Sequence, residues 1–212
     1  MIDSEKFWNR IAKNYDKPAK KSNQSLSKNA EFAIRYLKKS DIILDHGCAT
    51  GKTSIDLFNE VKEIHAIDIS PKMIEIAEGK ANGRNINNIN FVNTTIFDEG
   101  YYDESFDVIM SFYILHLVED IEKVLQRAHQ LLRPGGLFIS TTPCLGENKF
   151  LLAGILFLGS KLRLLPKINS FQFSELENLI LSENFHLVDS EKLSPSSTNY
   201  FIVVKKKLIS EI

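Results

Sequence analysis

A turn of small residues, Gly47, Ala49 and Gly51, stands between the apolar run DIILDH and a stretch with helical spacing. Glycine has no Cβ atom, so a ligand can approach the backbone closely at such a turn. The first N–H groups of the helix behind the turn have no partners inside that helix and can bind the ligand. The pattern therefore predicts a ligand-binding loop at the carboxyl end of a strand, where ligands bind in open α/β sheets.

An acidic side chain, Asp68, closes the next apolar run, IHAIDIS, 21 positions after Gly47. A carboxylate at that strand end can accept two hydrogen bonds from the hydroxyls of a ribose. The alternative is an ordinary acidic residue near the start of a helix, because Ser70 and Pro71 are a typical N-cap and first helical residue.

Several ligands compete for a glycine loop of this type. A phosphate-binding P-loop is disfavoured, because the first glycine of GxxxxGK[ST] would have to stand where His46 is. A dinucleotide fingerprint, GxGxxG, is disfavoured because G-x-A-x-G is not followed by its last glycine. The third ligand is S-adenosylmethionine, whose amino-acid end the loop would hold. A purely structural turn is the remaining alternative.

Short apolar runs alternate with helical stretches along the first two thirds of the chain. The runs cover residues 41–46, 64–70, 89–94, 106–112 and 136–142, and the helical stretches about 53–60, 72–81 and 121–132. Such alternation predicts right-handed βαβ units and a parallel sheet. The third helix is expected to stop before Arg133, Pro134 and a glycine pair. A helix at 174–182 and two strands at 186–193 and 200–207 follow, and the short connection between these strands favours antiparallel pairing.

Four segments are predicted within a single domain. Residues 1–40 form a polar, helical N-terminal cap, 41–142 the cofactor-binding core, 143–172 an insertion and 173–212 the C-terminal helix and hairpin. In the cap, Phe7, Trp8, Ile11 and Tyr15 have the spacing of one helix face, which is typical of packing. The insertion contains an apolar run, 150–159, that as a helix would be buried or line an apolar cavity.

Composition disfavours several classes of protein. The 212 residues include 26 basic and 27 acidic side chains, so no general field attracts nucleic acid or an anionic membrane. Two cysteines are too few for a disulfide framework, and the charged N-terminus lacks the apolar core of a signal peptide. The run 150–159 is about half as long as a membrane span. We expect a soluble, cytoplasmic protein, with peripheral membrane contact through the basic residues flanking that run as an alternative.

The segments ILDHGCATGKTSIDL, HAIDISPKMIEIA and FDVIMSFYILHLVEDIEKVLQRAHQLLRPGGLFIST resemble successive motifs of class I S-adenosylmethionine-dependent methyltransferases. The similarity is to the generic group that includes the quinone-biosynthesis enzymes, and it covers about residues 7 to 142. It implies a Rossmann-like α/β fold with a mostly parallel sheet of seven strands and an antiparallel C-terminal hairpin. It also implies S-adenosylmethionine as cofactor and S-adenosylhomocysteine as product, but it does not name the acceptor.

By this resemblance, Asp68 binds the ribose hydroxyls and Thr95 stands where the family has an acidic contact to the adenine amino group. The other residues that the resemblance places around the cofactor are Asp45, Gly47, Ala49, Gly51 and Phe112 at its methionine part, and Ile69, Met73 and the N–H of Ile96 at its adenine. Three positions depart from the family pattern. His46 replaces a common leucine, Ala49 the usual middle glycine and Thr95 the usual Asp, whose contact would pass to the Thr95 hydroxyl or to Asp98.

Methyl transfer from a sulfonium is an in-line displacement that needs alignment above all. A general base helps only where the acceptor must lose a proton. His116, after the fourth strand, is the candidate for such a base or for orienting the acceptor, and a core histidine is the alternative. Tyr15 matches a tyrosine that in many relatives lies over the transferred methyl group, and simple packing of the N-terminal helix is the alternative.

The acceptor is expected to be a small, partly apolar molecule. Residues 111–114 read SFYI, where enzymes that methylate exocyclic amines have Asn/Asp-Pro-Pro-Tyr/Phe. Cys144 follows the fifth strand, unlike the nucleophile of cytosine-C5 methyltransferases, which follows the fourth. Nucleic acid is therefore not expected as acceptor, and the five scattered histidines give no reason to expect a required metal.

The insertion at 143–171 and the N-terminal segment are predicted to close over the acceptor as a lid. The alternative function is a protein that binds S-adenosylmethionine without methyl transfer, as a sensor or an assembly partner. The oligomeric state stays open.

Overall fold

The computed structural model describes residues 4–17, 26–147 and 168–207. Within these residues the strands are β1 (Ile42–His46), β2 (Glu63–Asp68), β3 (Ile89–Asn93), β4 (Phe106–Phe112), β5 (Leu132–Pro143), β6 (Phe185–Lys192) and β7 (Asn199–Lys206). The helices are α1 (Ser4–Ile11), α2 (Lys28–Ala33), α3 (Lys52–Leu57), α4 (Pro71–Asn82), α5 (Ile121–Leu131) and α6 (Phe173–Ser182). Short 3₁₀ turns cover Ala12–Asn14, Ile34–Tyr36, Phe58–Glu60 and Leu145–Glu147.

The strands form a seven-stranded sheet in the order β3-β2-β1-β4-β5-β7-β6. β2 pairs in parallel with β1 and β3, and β4 pairs in parallel with β5. β7 runs antiparallel to both β5 and β6. The predicted Rossmann-like fold with its antiparallel C-terminal hairpin is therefore confirmed. The described residues form two compact units, one within Asp3–Thr95 and the other within Ile96–Ile212.

The first unit contains β1 to β3 and α1 to α4, and its elements form for local reasons that the sequence shows. The β-branched residues Ile42 and Ile43 favour the extended backbone of β1. At the start of α4 the Ser70 hydroxyl accepts a hydrogen bond from the Met73 N–H at 3.2 Å, and Pro71 is the first helical residue. The predicted N-cap of this helix is thus confirmed, and the helix begins directly after the end of β2.

The N-terminal aromatic face is divided between a helix and a turn, so the prediction of one helix face was wrong in part. α1 ends at Ile11 and a 3₁₀ turn follows, which places Tyr15 beyond the α-helix. The rings still meet edge to face: the Phe7 and Trp8 centroids are 5.1 Å apart and those of Trp8 and Tyr15 are 6.4 Å apart. The segment packs against α4 rather than standing alone.

In the second unit, β5 begins earlier than the predicted start at Gly136. α5 ends at Leu131 and β5 starts with the next residue, Leu132. Leu132 pairs with Phe106 and Leu137 with Val108, so five positions of β5 span only two of β4. Gly135 has a φ of 74°, a left-handed conformation that suits glycine. The glycine pair therefore lies in a bulge within β5, in addition to following the end of α5.

The C-terminal hairpin lies close to its predicted position. α6 begins with a capping box in which the Gln172 N–H donates to the Glu175 carboxylate at 2.8 Å. β6 contains a bulge, because Leu187 pairs with Val204 and Asp189 with Val203, which leaves Val188 without a cross-strand position. The side chains of Leu187 and Val188 are 42% and 48% exposed.

Residues 148–167 lie outside the described residues, and with them the apolar run and most of the predicted lid. The lid therefore stays a prediction. In the described parts of the chain, none of the helices combines the length and the apolar character that crossing a membrane requires.

The substitution Gly51→Ala tests whether the tight turn before α3 is needed for stability. Its φ is 74°, and a Cβ atom there would lie 2.9 Å from both the Ala77 Cβ and the Phe91 Cε1. We expect Gly51→Ala to lower the free energy of unfolding by about 2–4 kcal/mol through backbone strain and overpacking. The measurement is urea denaturation.

Gly79→Ala is the matched control for this substitution. Gly79 lies inside α4, and an added Cβ atom would meet nothing within 4 Å. The free energy of unfolding should rise by about 1 kcal/mol, because alanine favours the helix. Equal effects of the two substitutions would contradict the described turn.

Candidate active site

The glycine loop is held against the end of β2 by its own backbone. The N–H groups of Gly47 and Cys48 both donate to the Ile67 carbonyl, at 2.8 and 2.9 Å. The Gly51 N–H donates to the Cys48 carbonyl at 2.9 Å and closes the turn. The loop therefore lies beside Asp68, the last residue of β2.

Ala49 adopts the conformation for which the family usually has glycine. Its φ is 48°, as the φ values of Gly47 and Gly51 are 78° and 74°. A left-handed conformation costs a residue with a Cβ atom about 1–2 kcal/mol. The Ala49 N–H donates to the Asp68 carboxylate at 3.0 Å, so the contacts of the loop hold it in this conformation.

Asp68 is oriented by two backbone donors. Its Oδ2 accepts the Ala49 N–H and its Oδ1 accepts the Ser70 N–H at 2.8 Å. Burial raises the pKa of this carboxyl, while the hydrogen bonds from Ser70 and Ala49 lower it. Each carboxylate oxygen can accept about two hydrogen bonds. Each oxygen of Asp68 can therefore accept one further hydrogen bond, from one of the two hydroxyls of a ribose.

Asp45 is a second buried acid, on β1. It is 2% exposed and accepts a hydrogen bond from the Ser54 hydroxyl on α3. The pKa of Asp45 is raised to about 6: burial raises it most, the hydrogen bond from Ser54 lowers it, and the charge of Asp68 adds to the rise. The carboxylate of Asp68 is thus close enough to oppose the ionisation of Asp45.

The side chains on either side of Gly47, His46 at the end of β1 and Cys48 in the loop, do not compensate this negative charge. Burial lowers the pKa of His46 to about 4, so its ring is neutral near pH 7. Burial also raises the pKa of the Cys48 thiol well above its ordinary value, which keeps Cys48 uncharged and unreactive. A loop framed by two acids disfavours phosphate and favours a ligand with positive charge.

A polar network that the motifs did not predict joins the N-terminal segment to the loop. The Thr50 hydroxyl donates to Asp16 at 2.8 Å. Lys80, on α4, donates to Asp16 at 2.7 Å and to the Thr50 carbonyl at 2.8 Å. Closer to the N-terminus, the Asn9 side-chain carbonyl accepts the Ser70 hydroxyl at 2.7 Å. These partners are 30 to 64 positions apart in sequence, and only the position of Asp16 next to Tyr15 could have pointed to one of them.

The remaining predicted cofactor residues of the first unit have different exposures. Ile69 lies between Asp68 and Ser70 and is partly exposed, and Thr95 is exposed just after β3. Met73 is only 1% exposed, so in this conformation it offers almost no side-chain surface to a bound ring. Tyr15 is 42% exposed and directly precedes Asp16.

The second unit contains the three other predicted residues. Phe112 ends β4 and is buried, and Ile96 is buried with its carbonyl accepting from the Arg127 Nε at 3.4 Å. His116 lies in the loop after β4, where its carbonyl accepts the Asn169 N–H at 2.8 Å. Among the described residues its buried Nδ1 has no hydrogen-bond partner.

Burial lowers the pKa of His116 to about 4, so the ring is neutral near pH 7. A neutral imidazole has one donor and one acceptor nitrogen. A second side chain in this loop, Tyr113, has a strained backbone with a φ of 60°, and its N–H donates to the Thr141 carbonyl at 2.8 Å. Its phenol oxygen accepts from the Asn199 amide at 3.4 Å. The loop after β4 therefore contains two polar side chains, the imidazole of His116 and the phenol of Tyr113.

Cys144 has the surroundings of a structural residue. Its N–H donates to the Thr198 carbonyl at 2.8 Å, and burial raises the pKa of its thiol to about 12. In the described part of the chain, no group of three or more His, Cys, Asp or Glu side chains could hold a metal ion.

A family model described as a methyltransferase domain matches residues 37–192 of the chain. An uncharacterised protein of Methanocaldococcus jannaschii, MJ1252, is 25% identical over an alignment of 204 positions, and the match covers 86% of this chain and 76% of that protein. Demethylmenaquinone methyltransferase of Tropheryma whipplei is 29% identical over an alignment of 141 positions, which covers 63% of this chain. That match spans only 56% of the length of the Tropheryma enzyme.

Solved structures show the same fold. The crystal structure of a SAM-dependent methyltransferase of Methanosarcina mazei matches with a TM-score of 0.70 and 20% identity, over 84% of this chain and 97% of that one. The glycine loop, the acid after β2 and the sheet order agree with the family match, which covers well over half of the chain. The chain belongs to the methyltransferase-domain family, as a class I enzyme that depends on S-adenosylmethionine.

Proposed function

We propose that the protein transfers a methyl group from S-adenosylmethionine to a small, partly apolar acceptor. The observation that carries this proposal is a pair of carboxylates, the buried Asp45 and the partly buried Asp68, beside a glycine loop without a compensating positive charge from His46. S-adenosylmethionine has an ammonium and a sulfonium group, which suit such a site, and a ribose diol that fits the oriented carboxylate of Asp68.

The reaction needs little chemistry from the protein. The acceptor atom attacks the methyl carbon as the carbon–sulfur bond breaks, and the sulfur keeps the electron pair and becomes the neutral thioether of S-adenosylhomocysteine. A hydroxyl or amine acceptor also loses a proton, which we assign to His116 and from there to water. The ring of His116 is neutral and its Nδ1 is unpartnered among the described residues, so it can accept the hydrogen bond through which this proton leaves.

Two observations bear on the chemical nature of the acceptor. The apolar run at 150–159 in the sequence suits an apolar substrate, and the relative from Tropheryma whipplei is named for demethylmenaquinone. Tyr15 is proposed to lie over the methyl group, since Asp16 ties the adjoining backbone to the glycine loop. The near balance of basic and acidic residues argues against nucleic acid.

The direct test measures S-adenosylhomocysteine binding by calorimetry and then its formation from S-adenosylmethionine with quinols, phenols, amines and carboxylic acids. We expect binding and turnover with one of these pools. Binding without turnover in any pool would favour the cofactor-binding protein without methyl transfer. No binding at all would contradict both functions.

Asp68→Ala tests the ribose contact. We expect the affinity for S-adenosylhomocysteine to fall by about 1.5–3 kcal/mol, roughly 10- to 100-fold, because a charged acceptor of hydrogen bonds is lost. Calorimetry gives the affinity, and thermal unfolding shows whether the loop has also been disturbed. Glu63→Gln, at the opposite end of β2, is the matched control and should bind like the parent. Unchanged affinity in Asp68→Ala would remove Asp68 from the site.

Asp45→Asn tests the cost of the buried charge. The pKa of Asp45 is about 6 in the folded protein against 3.8 ordinarily, so the folded state binds its proton more tightly than the unfolded state does. The ionised group therefore destabilises the protein above pH 6, by about 3 kcal/mol at pH 7, and this cost disappears as the pH falls towards 4. We expect Asp45→Asn to be more stable than the parent at pH 7 but not at pH 4, and to bind the cofactor weakly. Denaturation at several pH values measures this difference, and a difference independent of pH would contradict the assignment.

His116→Ala tests the acceptor site once an acceptor is known. Turnover should fall by roughly 100-fold or more, whereas the affinity for S-adenosylhomocysteine should change little. Initial rates and calorimetry give the two quantities. His186→Ala, on the exposed part of β6, is the control and should keep the parent's rate. Equal rates in His116→Ala and the parent would make His116 a packing residue.

A further inference from the structure

The N-terminal segment, residues 4–17, is held by both apolar and polar contacts. The apolar side chains of α1 are partly covered, and Ala12, directly after α1, is 2% exposed. The segment packs against α4 through these apolar groups. The hydrogen bonds of Asn9 and Asp16 add directional contacts that fix its position against the glycine loop and the start of α4.

Asn9 and Asp16 hold the N-terminal segment next to the two backbone N–H groups that donate to Asp68. Asp68 is oriented by the N–H groups of Ala49 and Ser70. Asp16 binds the hydroxyl of Thr50, the residue after Ala49, and Asn9 binds the hydroxyl of Ser70 itself. The N-terminal segment thus binds the glycine loop and the start of α4, the two places from which backbone N–H groups orient the Asp68 carboxylate.

Thr50 is the centre of the contact with Asp16. Its side chain is 1% exposed, although it belongs to a loop that would receive a ligand. Its hydroxyl donates to Asp16 and its carbonyl accepts from Lys80, which also donates to Asp16. The three residues form a closed polar triangle, so a shift of the segment changes the position of the loop.

We infer that Asp16 and Thr50 are positioning residues that link docking of the N-terminal segment to cofactor binding. The inference rests on the proposed function and extends it. A docked segment holds the loop in the geometry that binds the cofactor, and by reciprocity a bound cofactor favours the docked segment. Docking also brings Tyr15, next to Asp16, to the glycine loop.

The test uses Thr50→Val, which keeps the shape of the side chain but removes the hydroxyl donor. We expect the Kd for S-adenosylhomocysteine to rise roughly 5-fold or more, the lower end of measured couplings between sites. Thr50→Ser restores the hydroxyl and should recover most of the affinity. Asp103→Asn removes an exposed ion pair with Arg127 in the second unit and should bind like the parent.

Trp8 supplies an independent signal, because it is the only tryptophan of the chain and lies in the segment. In Thr50→Val without ligand, acrylamide should quench its fluorescence more strongly than in the parent. Saturating S-adenosylhomocysteine should reduce that quenching. A loss of stability elsewhere in the protein would not produce this reversal by the ligand.

Asp16→Asn provides a second variant if Thr50→Val folds poorly. The asparagine still accepts from Thr50 but loses its charge towards Lys80, so the Kd should rise less than in Thr50→Val. The effects of the two substitutions should not add in the double variant, since they act on one contact. Parent affinity in both single variants, or Trp8 quenching that the ligand never changes, would overturn the inference. Absence of binding by the parent would instead overturn the proposed function.

Discussion

Asp45 is buried in the first unit and Asp68 is partly buried there, and this removal from water works against the ionisation of both acids. The ionised form of Asp45 weakens the free protein near neutral pH. The sharp turn of the glycine loop, with the left-handed backbone at Ala49, supplies a donor that holds Asp68 in position, and Ser54 holds Asp45. The cofactor's positive groups would then relieve a cost already present in the fold, which is a form of preorganisation.

Most elements of the fold could be predicted because their signals are local. The N-cap at Ser70 and the β-branched run of β1 each depend on only a few neighbouring residues, and both predictions were confirmed. Two boundaries were wrong for the opposite reason. At the early start of β5, Leu132 pairs with Phe106, 26 positions away, and the turn that follows α1 contacts α4. Contacts of this kind leave no periodic trace in the sequence.

The site was predictable to the extent that its residues follow a family pattern. Asp45 and Asp68 were named from the sequence and lie beside the loop, although their functional roles stay predictions. The pattern could not give the triangle of Asp16, Thr50 and Lys80, since its members lie on a turn, a loop and a helix far apart in the chain. It also gave no reason to expect Met73 to be so deeply covered, because coverage depends on how the whole of α4 packs.

The bulge in β6 affects how this protein can vary in length. Leu187 and Asp189 face consecutive residues of β7, and Val188 lies between them without a position of its own in the ladder. Deleting one residue here would leave the pairing on both sides intact, whereas a deletion elsewhere in the strand would turn every later side chain to the opposite face. Position 188 is therefore the place in this strand where homologous chains can gain or lose a residue without repacking the sheet.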